Sequence, residues 1–189
     1  MASIDPDDRV THHPALWKQE LSDRNASILR WSEADYTDER EFSLERDLSY
    51  AALCIRRLST SRLLSARALG MALTLRKYPR RPDSRNYSTS RRNSVLRYID
   101  PAQSSPARGA VLTFTNKIVH FFTLVVTDVI HAERQHIYFN SDHDSRRFIY
   151  EWPLEGFLAT AEAIAGDAYE PPRQARKATK TGQGHHDSR

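Results

Sequence analysis

Residues 110–130 read AVLTFTNKIVHFFTLVVTDVI, and the periodicity of the chain changes inside them. Ala110, Val111, Phe114, Ile118 and Phe121 recur at helical spacing. Beyond His120 the run is rich in β-branched and aromatic residues, where pattern alone does not separate helix from strand. The reading adopted is a helix over 107–121 with a strand following. Residues 118–130 are the most apolar stretch, yet they hold His120 and Asp128 and are too short to span a bilayer.

Working upstream, Asp38, Glu39 and Glu41 put carboxylates at the positive end of a helix dipole. Leu44, Leu48, Ala51, Ile55 and Leu58 then follow at alternating four- and three-residue spacing, one apolar stripe. The stripe continues through Leu63, Leu64, Leu69, Leu73 and Leu75 to Tyr78 and Pro79. With no proline between Thr37 and Tyr78, the pattern predicts one long helix or two stacked ones over 38–78, with Ser59, Thr60 and Ser61 as a place for a break.

Working downstream, residues 137–139 and 148–150 flank the turn-forming NSDHDS and predict a two-stranded hairpin. Leu154, Phe157, Leu158, Ala161 and Ile164 predict a last helix over 154–165, opened by Pro153 and closed by Gly166. A short element is expected over 95–99, ended by Asp100 and Pro101. The fold class expected from these elements is mainly α, a helical bundle with a small appended β-hairpin.

The 189 residues suit one domain, and the 39% hydrophobic content is below the usual 45–50% or so, which leaves part of the chain outside a core. The division expected is a partly ordered N-terminal arm over 1–36, a helical domain over 37–166 and a disordered basic tail over 167–189. Trp17 and Trp31 are large enough to dock the arm on the core. The lone cysteine, Cys54, sits among leucines and isoleucine and reads as a buried, inert thiol. No apolar run follows the opening MASIDPDD, and a cytoplasmic location is expected.

Charge is unevenly placed. Residues 1–50 hold twelve acids and six bases, 51–120 hold fourteen bases and two acids, and 121–189 hold eight bases and ten acids. A basic middle attracts phosphate backbones, or is neutralised internally by the acidic N-terminal region. Residues 79–94, PRRPDSRNYSTSRRNS, read as a loop whose Arg80, Arg81, Arg85, Arg91 and Arg92 suit RNA phosphate contact; the alternative is a solvated loop.

The phosphate-cradling glycine patterns, GxSxG and HExxH are absent. His131 and His136 are five apart, one too many for a zinc helix, and no second cysteine completes a deaminase site. Asp142, His143 and Asp144 read as turn residues, or as a loose cation holder. No metal site and no cofactor is expected. Asn116 and His120 are four apart, so a helix places both on one face. Such a pair serves acid–base work on a phosphodiester, or acts as a buried couple that fixes packing.

The stretch Thr115-Asn116-Lys117-Ile118-Val119-His120 resembles the motif of HEPN domains, an arginine followed four to six residues later by histidine, often with asparagine directly after the arginine. It is also similar to an Asn-Lys-Ile-Ile-His variant of HEPN-like proteins, and the resemblance covers roughly residues 107–165. It implies a helical domain of a bacterial defence or toxin-type system, directed at RNA, with two chains forming a homodimer around one cleft. It implies metal-independent ribonuclease chemistry with His120 as acid or base and Asn116 orienting it or binding phosphate. Thr115 stands where the family has its arginine, and Lys117 is the substitute cation, about 100° around the helix. Non-catalytic HEPN-like members imply the alternative, a non-enzymatic protein-interaction or dimerisation domain with a structural Asn–His pair. A basic RNA binder without hydrolysis is the third possibility.

Overall fold

The computed structural model describes residues 13–81, 95–128 and 134–168. Pro14 opens the first helix, α1 (Pro14–Ser32), at a position where a missing amide donor is harmless. Helix α2 (Asp38–Thr60) follows, capped by Thr37, whose hydroxyl accepts from the Arg40 amide at 3.1 Å. The two form an antiparallel hairpin. Leu21 and Ile28 of α1 are fully buried with Leu48, Ala51, Ala52, Cys54, Ile55 and Leu58 of α2. The stretch 14–32, expected as an arm, therefore contributes directly to the core.

The helix expected to run from 38 to 78 ends at Thr60. Arg62 takes a left-handed φ of 54°. Its amide donates to Ser59 O at 3.2 Å, and the Leu63 amide donates to Leu58 O at 2.9 Å. These two bonds close a Schellman turn, with buried Leu63 and Leu58 packing across it. One short helix, α3 (Ala66–Leu69), intervenes. The first strand, β1 (Ala72–Pro79), then occupies what the leucine stripe presented as helix. In this stretch Leu75 belongs to the main core and Tyr78 to a second cluster, a split that period two explains and helical period does not.

The remaining elements are α4 (Val95–Tyr98), β2 (Ser105–Ala110), α5 (Val111–Val119), β3 (Phe121–Thr127), β4 (His136–Ser141), β5 (Phe148–Pro153) and α6 (Leu154–Ala165). The five strands make one sheet in the order β2-β1-β5-β4-β3, with every neighbouring pair antiparallel. This overturns the expected mainly α bundle with an appended hairpin: the fold is a mixed α/β one. The hairpin over 137–150 exists, but β4 and β5 lie inside the sheet, flanked by β3 and β1. The helix expected over 107–121 begins only at Val111, because residues 105–110 pair with β1 from Lys77 to Ala72. That pairing is long-range, and SPARGA carries no apolar alternation to reveal it. Pro106 is tolerated there because β2 is an edge strand.

One face of the sheet presents Leu75, Leu124, Val126, Ile137, Phe139, Tyr150 and Trp152 to the helices. The other carries a smaller cluster of Tyr78, Tyr98, Ile99, Val125, Tyr138 and Ile149. Two-sided burial explains why β3 and β4 read as continuous apolar runs. No helix among the described residues is long and apolar enough to cross a membrane.

Candidate functional site

Helix α5 carries Asn116 and Lys117 and stops one residue before His120. His120 leaves helical geometry (φ −110°, ψ 41°), while its amide still donates to Asn116 O at 3.1 Å. Its carbonyl accepts from the Asp142 amide at 3.2 Å, which ties the helix end to the turn between β4 and β5. The turn is itself braced: the amides of Asp144 and Arg147 donate to Ser141 O and Asp144 O at 3.0 and 2.8 Å.

The result is an open groove of about 560 Å³ lined by Thr113, Asn116, Lys117, His120, Ser141, Asp142 and His143. Asn116 and His120 share it, as their spacing implied. The Asn116 amide oxygen is buried and has no donor among the described residues. Lys117 is half-buried; its ammonium donates to the Asp144 carboxylate and lies 4.9 Å from the Tyr150 ring centre. Ser141 Oγ donates to the same carboxylate at 3.3 Å, so Lys117 is committed to bracing the turn.

The Arg56 guanidinium reaches the site from α2, with Nη1 2.9 Å from His120 Nε2. A guanidinium only donates, so Nε2 accepts, and the imidazole in this contact is neutral with its proton on Nδ1. Thr115, at the position of the motif arginine, is fully buried and donates to Val111 O at 3.0 Å. It has no access to a ligand, and the guanidinium beside the histidine comes from a different helix. Sequence reading missed Arg56 because 64 positions separate the two residues. It also gave His143 as a turn residue or part of a loose cation holder, not as a neighbour of His120.

Of the five loop arginines, Arg85, Arg91 and Arg92 lie outside the described residues, as do His131 and Glu133. Arg80 and Arg81 do not line the groove. The Arg80 amide donates to Arg147 O at 2.9 Å, its guanidinium donates to Ser145 O, and it lies 5.0 Å from the Tyr98 ring centre. Arg80 thus grips the β4–β5 turn that carries His143.

A second polar cluster lies on the other sheet face. Glu151, 2% exposed, accepts from the Tyr78 hydroxyl, with Arg76 Nη1 at 3.7 Å and His136 Nε2 at 3.5 Å. Burial, and the hydrogen bond to Glu151, push the Tyr78 phenol up to about 12. Tyr78, Tyr138, His136 and Glu151 are all buried, so this cluster fastens β1, β5 and β4 together. Cys54 is buried as well, and burial pushes its thiol up to about 11, which leaves it unreactive at neutral pH. Among the described residues, no three His, Cys, Asp or Glu side chains converge as metal ligands would.

Comparison of the chain with protein-family models, with curated proteins and with solved structures finds no match.

Proposed function

We propose that the groove at His120 is an RNA-directed phosphodiester site. The observation that carries this reading is the Arg56–His120 pair, a guanidinium and a neutral imidazole 2.9 Å apart at the rim of an open groove that also holds His143. Guanidinium groups recognise phosphate through paired N–H donors, and imidazoles transfer protons near neutral pH. A cleavage step fits these groups. His120 Nε2 takes the proton of an RNA 2′-hydroxyl, the 2′-oxygen bonds to phosphorus, and the P–O5′ bond breaks. The 5′-oxygen receives a proton from His143 or from water. The HEPN resemblance contributes the Asn116 and His120 spacing to this reading, while the helical bundle that it implied is not the fold. A homodimer and a place in a bacterial defence or toxin-type system stay as proposals resting on that resemblance.

The test is incubation of the chain with a single-stranded RNA oligonucleotide in the presence of a chelator. Products ending in a 2′,3′-cyclic phosphate, lost in His120→Ala and on substrates lacking the 2′-hydroxyl, are expected. Cleavage that is equal in the wild type and in His120→Ala would discard the reading.

A second reading, a protein-interaction domain, is favoured by a different place in the fold. Phe42 is 64% exposed at the rim of a cleft of about 340 Å³ between α2 and β3, floored by Leu44, Leu48, Leu124 and Val126. Asp38, Glu41 and Glu45 also line it, and an exposed aromatic beside a cleft with an apolar floor is a common anchor for a partner. Binding of a partner that Phe42→Ala abolishes and His120→Ala leaves intact would favour this reading.

A further inference from the structure

We propose that Arg56 is a phosphate-operated clamp on His120, holding the Nε2 lone pair until a phosphodiester draws the guanidinium away. The inference rests on the RNA-directed reading above and adds the order of events at that site.

The contact is unusual in what it occupies. The neutral imidazole has one lone pair, at Nε2, and that lone pair is the group a base would use. It is engaged by Arg56 Nη1 at 2.9 Å. With Nε2 so engaged, a substrate hydroxyl has no acceptor on this ring. The bond must therefore break before proton abstraction begins.

The same arrangement makes the break favourable when phosphate arrives. Among the described residues Arg56 makes no ion pair, so its charge is met only by a neutral ring. A phosphate carries negative charge and takes a guanidinium through two parallel N–H bonds, whereas the single ring nitrogen of His120 is neutral and accepts one. Arg56 is half-buried near the C-terminal end of α2. The arginine side chain is long and rotatable, and its guanidinium already touches His120, a residue of the groove wall. His120, in contrast, is anchored through its backbone to Asn116 and Asp142 and stays in place. Exchange then couples binding to activation: the guanidinium takes the phosphate oxygens, Nε2 is freed, and the 2′-hydroxyl proton transfers to it as the 2′-oxygen bonds to phosphorus. The electron pair of the P–O5′ bond leaves on the 5′-oxygen, which is protonated by His143 or water. Without phosphate the histidine is held idle.

This assigns Arg56 two partners in turn, the His120 ring and then the substrate phosphate. The test combines nitrogen-detected NMR of the His120 ring with steady-state kinetics. Inorganic phosphate, and separately an RNA oligonucleotide with a 2′-deoxy residue at the cleavage position, are titrated into the wild-type protein. The Nε2 resonance is expected to shift as its hydrogen bond to Arg56 is lost. In Arg56→Ala the resonance is expected to start at the shifted position and to stay there. Kinetically, Arg56→Ala is expected to raise KM about 10- to 100-fold while kcat stays within about threefold, because the lone pair is already free. His120-dependent cleavage with an Nε2 resonance that neither probe moves overturns the clamp and leaves the RNA reading standing. Absence of His120-dependent cleavage overturns the RNA reading and the clamp with it. The wild-type titration decides the matter even if Arg56→Ala does not fold.

Discussion

Asp47 Oδ1 accepts a hydrogen bond from Arg24 Nη1 at 3.1 Å, and this contact joins α2 to α1 across a carboxylate with no solvent exposure. Ser27 donates to Oδ2 at 2.7 Å, and Arg46 donates to Oδ1 at 2.8 Å. Burial acts to raise the Asp47 carboxyl, but the bonds from Arg46, Ser27 and Arg24 outweigh it and hold the group below its usual range.

A depressed carboxylate contributes stability that is fully present above its unfolded value, about 3.9, and is lost as pH falls through the lower folded value. Asp47→Ala is expected to lose about 1–3 kcal/mol at pH 7. The difference from wild type should shrink between pH 4 and pH 2. Urea midpoints at pH 7, 4 and 2.5 check this, and a difference independent of pH would show that the carboxylate charge is not what matters.

Arg40 is the next contact along the same helix pair. It is fully buried, its Nε donates to Trp31 O at 3.0 Å, and Nη2 donates to Ser32 O and Gln135 Oε1, both at 3.3 Å. The guanidinium carbon lies 4.0 Å from the Tyr36 ring centre. A fork is needed to satisfy the last carbonyls of α1 while stacking on a ring, and an ammonium has neither property. Arg40→Lys is expected to lose about 2–3 kcal/mol, a fall in Tm of roughly 5–10 °C. A melting temperature unchanged by this substitution would mean that charge alone suffices.

Arg62 offers the opposite sign. It sits in the left-handed region at φ 54° as the residue that stops α2. A side chain there costs about 1–2 kcal/mol that glycine avoids, partly offset by the greater freedom of glycine when unfolded. Arg62→Gly is expected to raise stability by about 0.5–1 kcal/mol, read from chemical denaturation. A loss would indicate that the guanidinium makes a compensating contact.

Gly109 on β2 tests the packing beneath α5. A Cβ built there would lie 3.2 and 3.3 Å from ring carbons of Phe114, which is 2% exposed. That ring packs edge-on to Tyr150 and Trp152 at 5.9 and 6.4 Å between centres, so it has little room to withdraw. Gly109→Ala is expected to lose about 1 kcal/mol and Gly109→Val about 2–3. In a double-mutant cycle Phe114→Leu should relieve part of the Gly109→Val cost, giving a coupling of about 0.5 kcal/mol or more. Strict additivity would place the strain elsewhere.

Much of the helical framework was legible before the structure. The acids at 38, 39 and 41 and the stripe from Leu44 to Leu58 are local features, and they define α2 from its start, while the Thr37 cap is seen in the structure. The last helix was read with its bounds, since Pro153 and Gly166 punctuate a full apolar face. The stripe misled only past Thr60, where leucines at 63, 64, 69, 73 and 75 fit helical spacing about as well as an alternating strand. The strand β2 left no local trace, because its partners lie about thirty residues upstream and its inward positions are only Ala107 and Gly109, too small to mark an apolar alternation.

The same division holds for the candidate site. Four-residue spacing determined that Asn116 and His120 share a face, because helix geometry is a property of the local chain. Composition determined that the middle of the chain is basic. Only the tertiary structure decided what stands beside His120. Packing of α2 against α5 brings Arg56 to its ring, and the β4–β5 turn brings Asp142 to its carbonyl and His143 into the groove. Likewise, a leucine is equally at home in helix or strand, and sheet pairing over long sequence distance decided between them. Side-chain spacing is set by bonds between neighbours, whereas partners across the core are set by burial of the whole, and one chain read in order carries only the first.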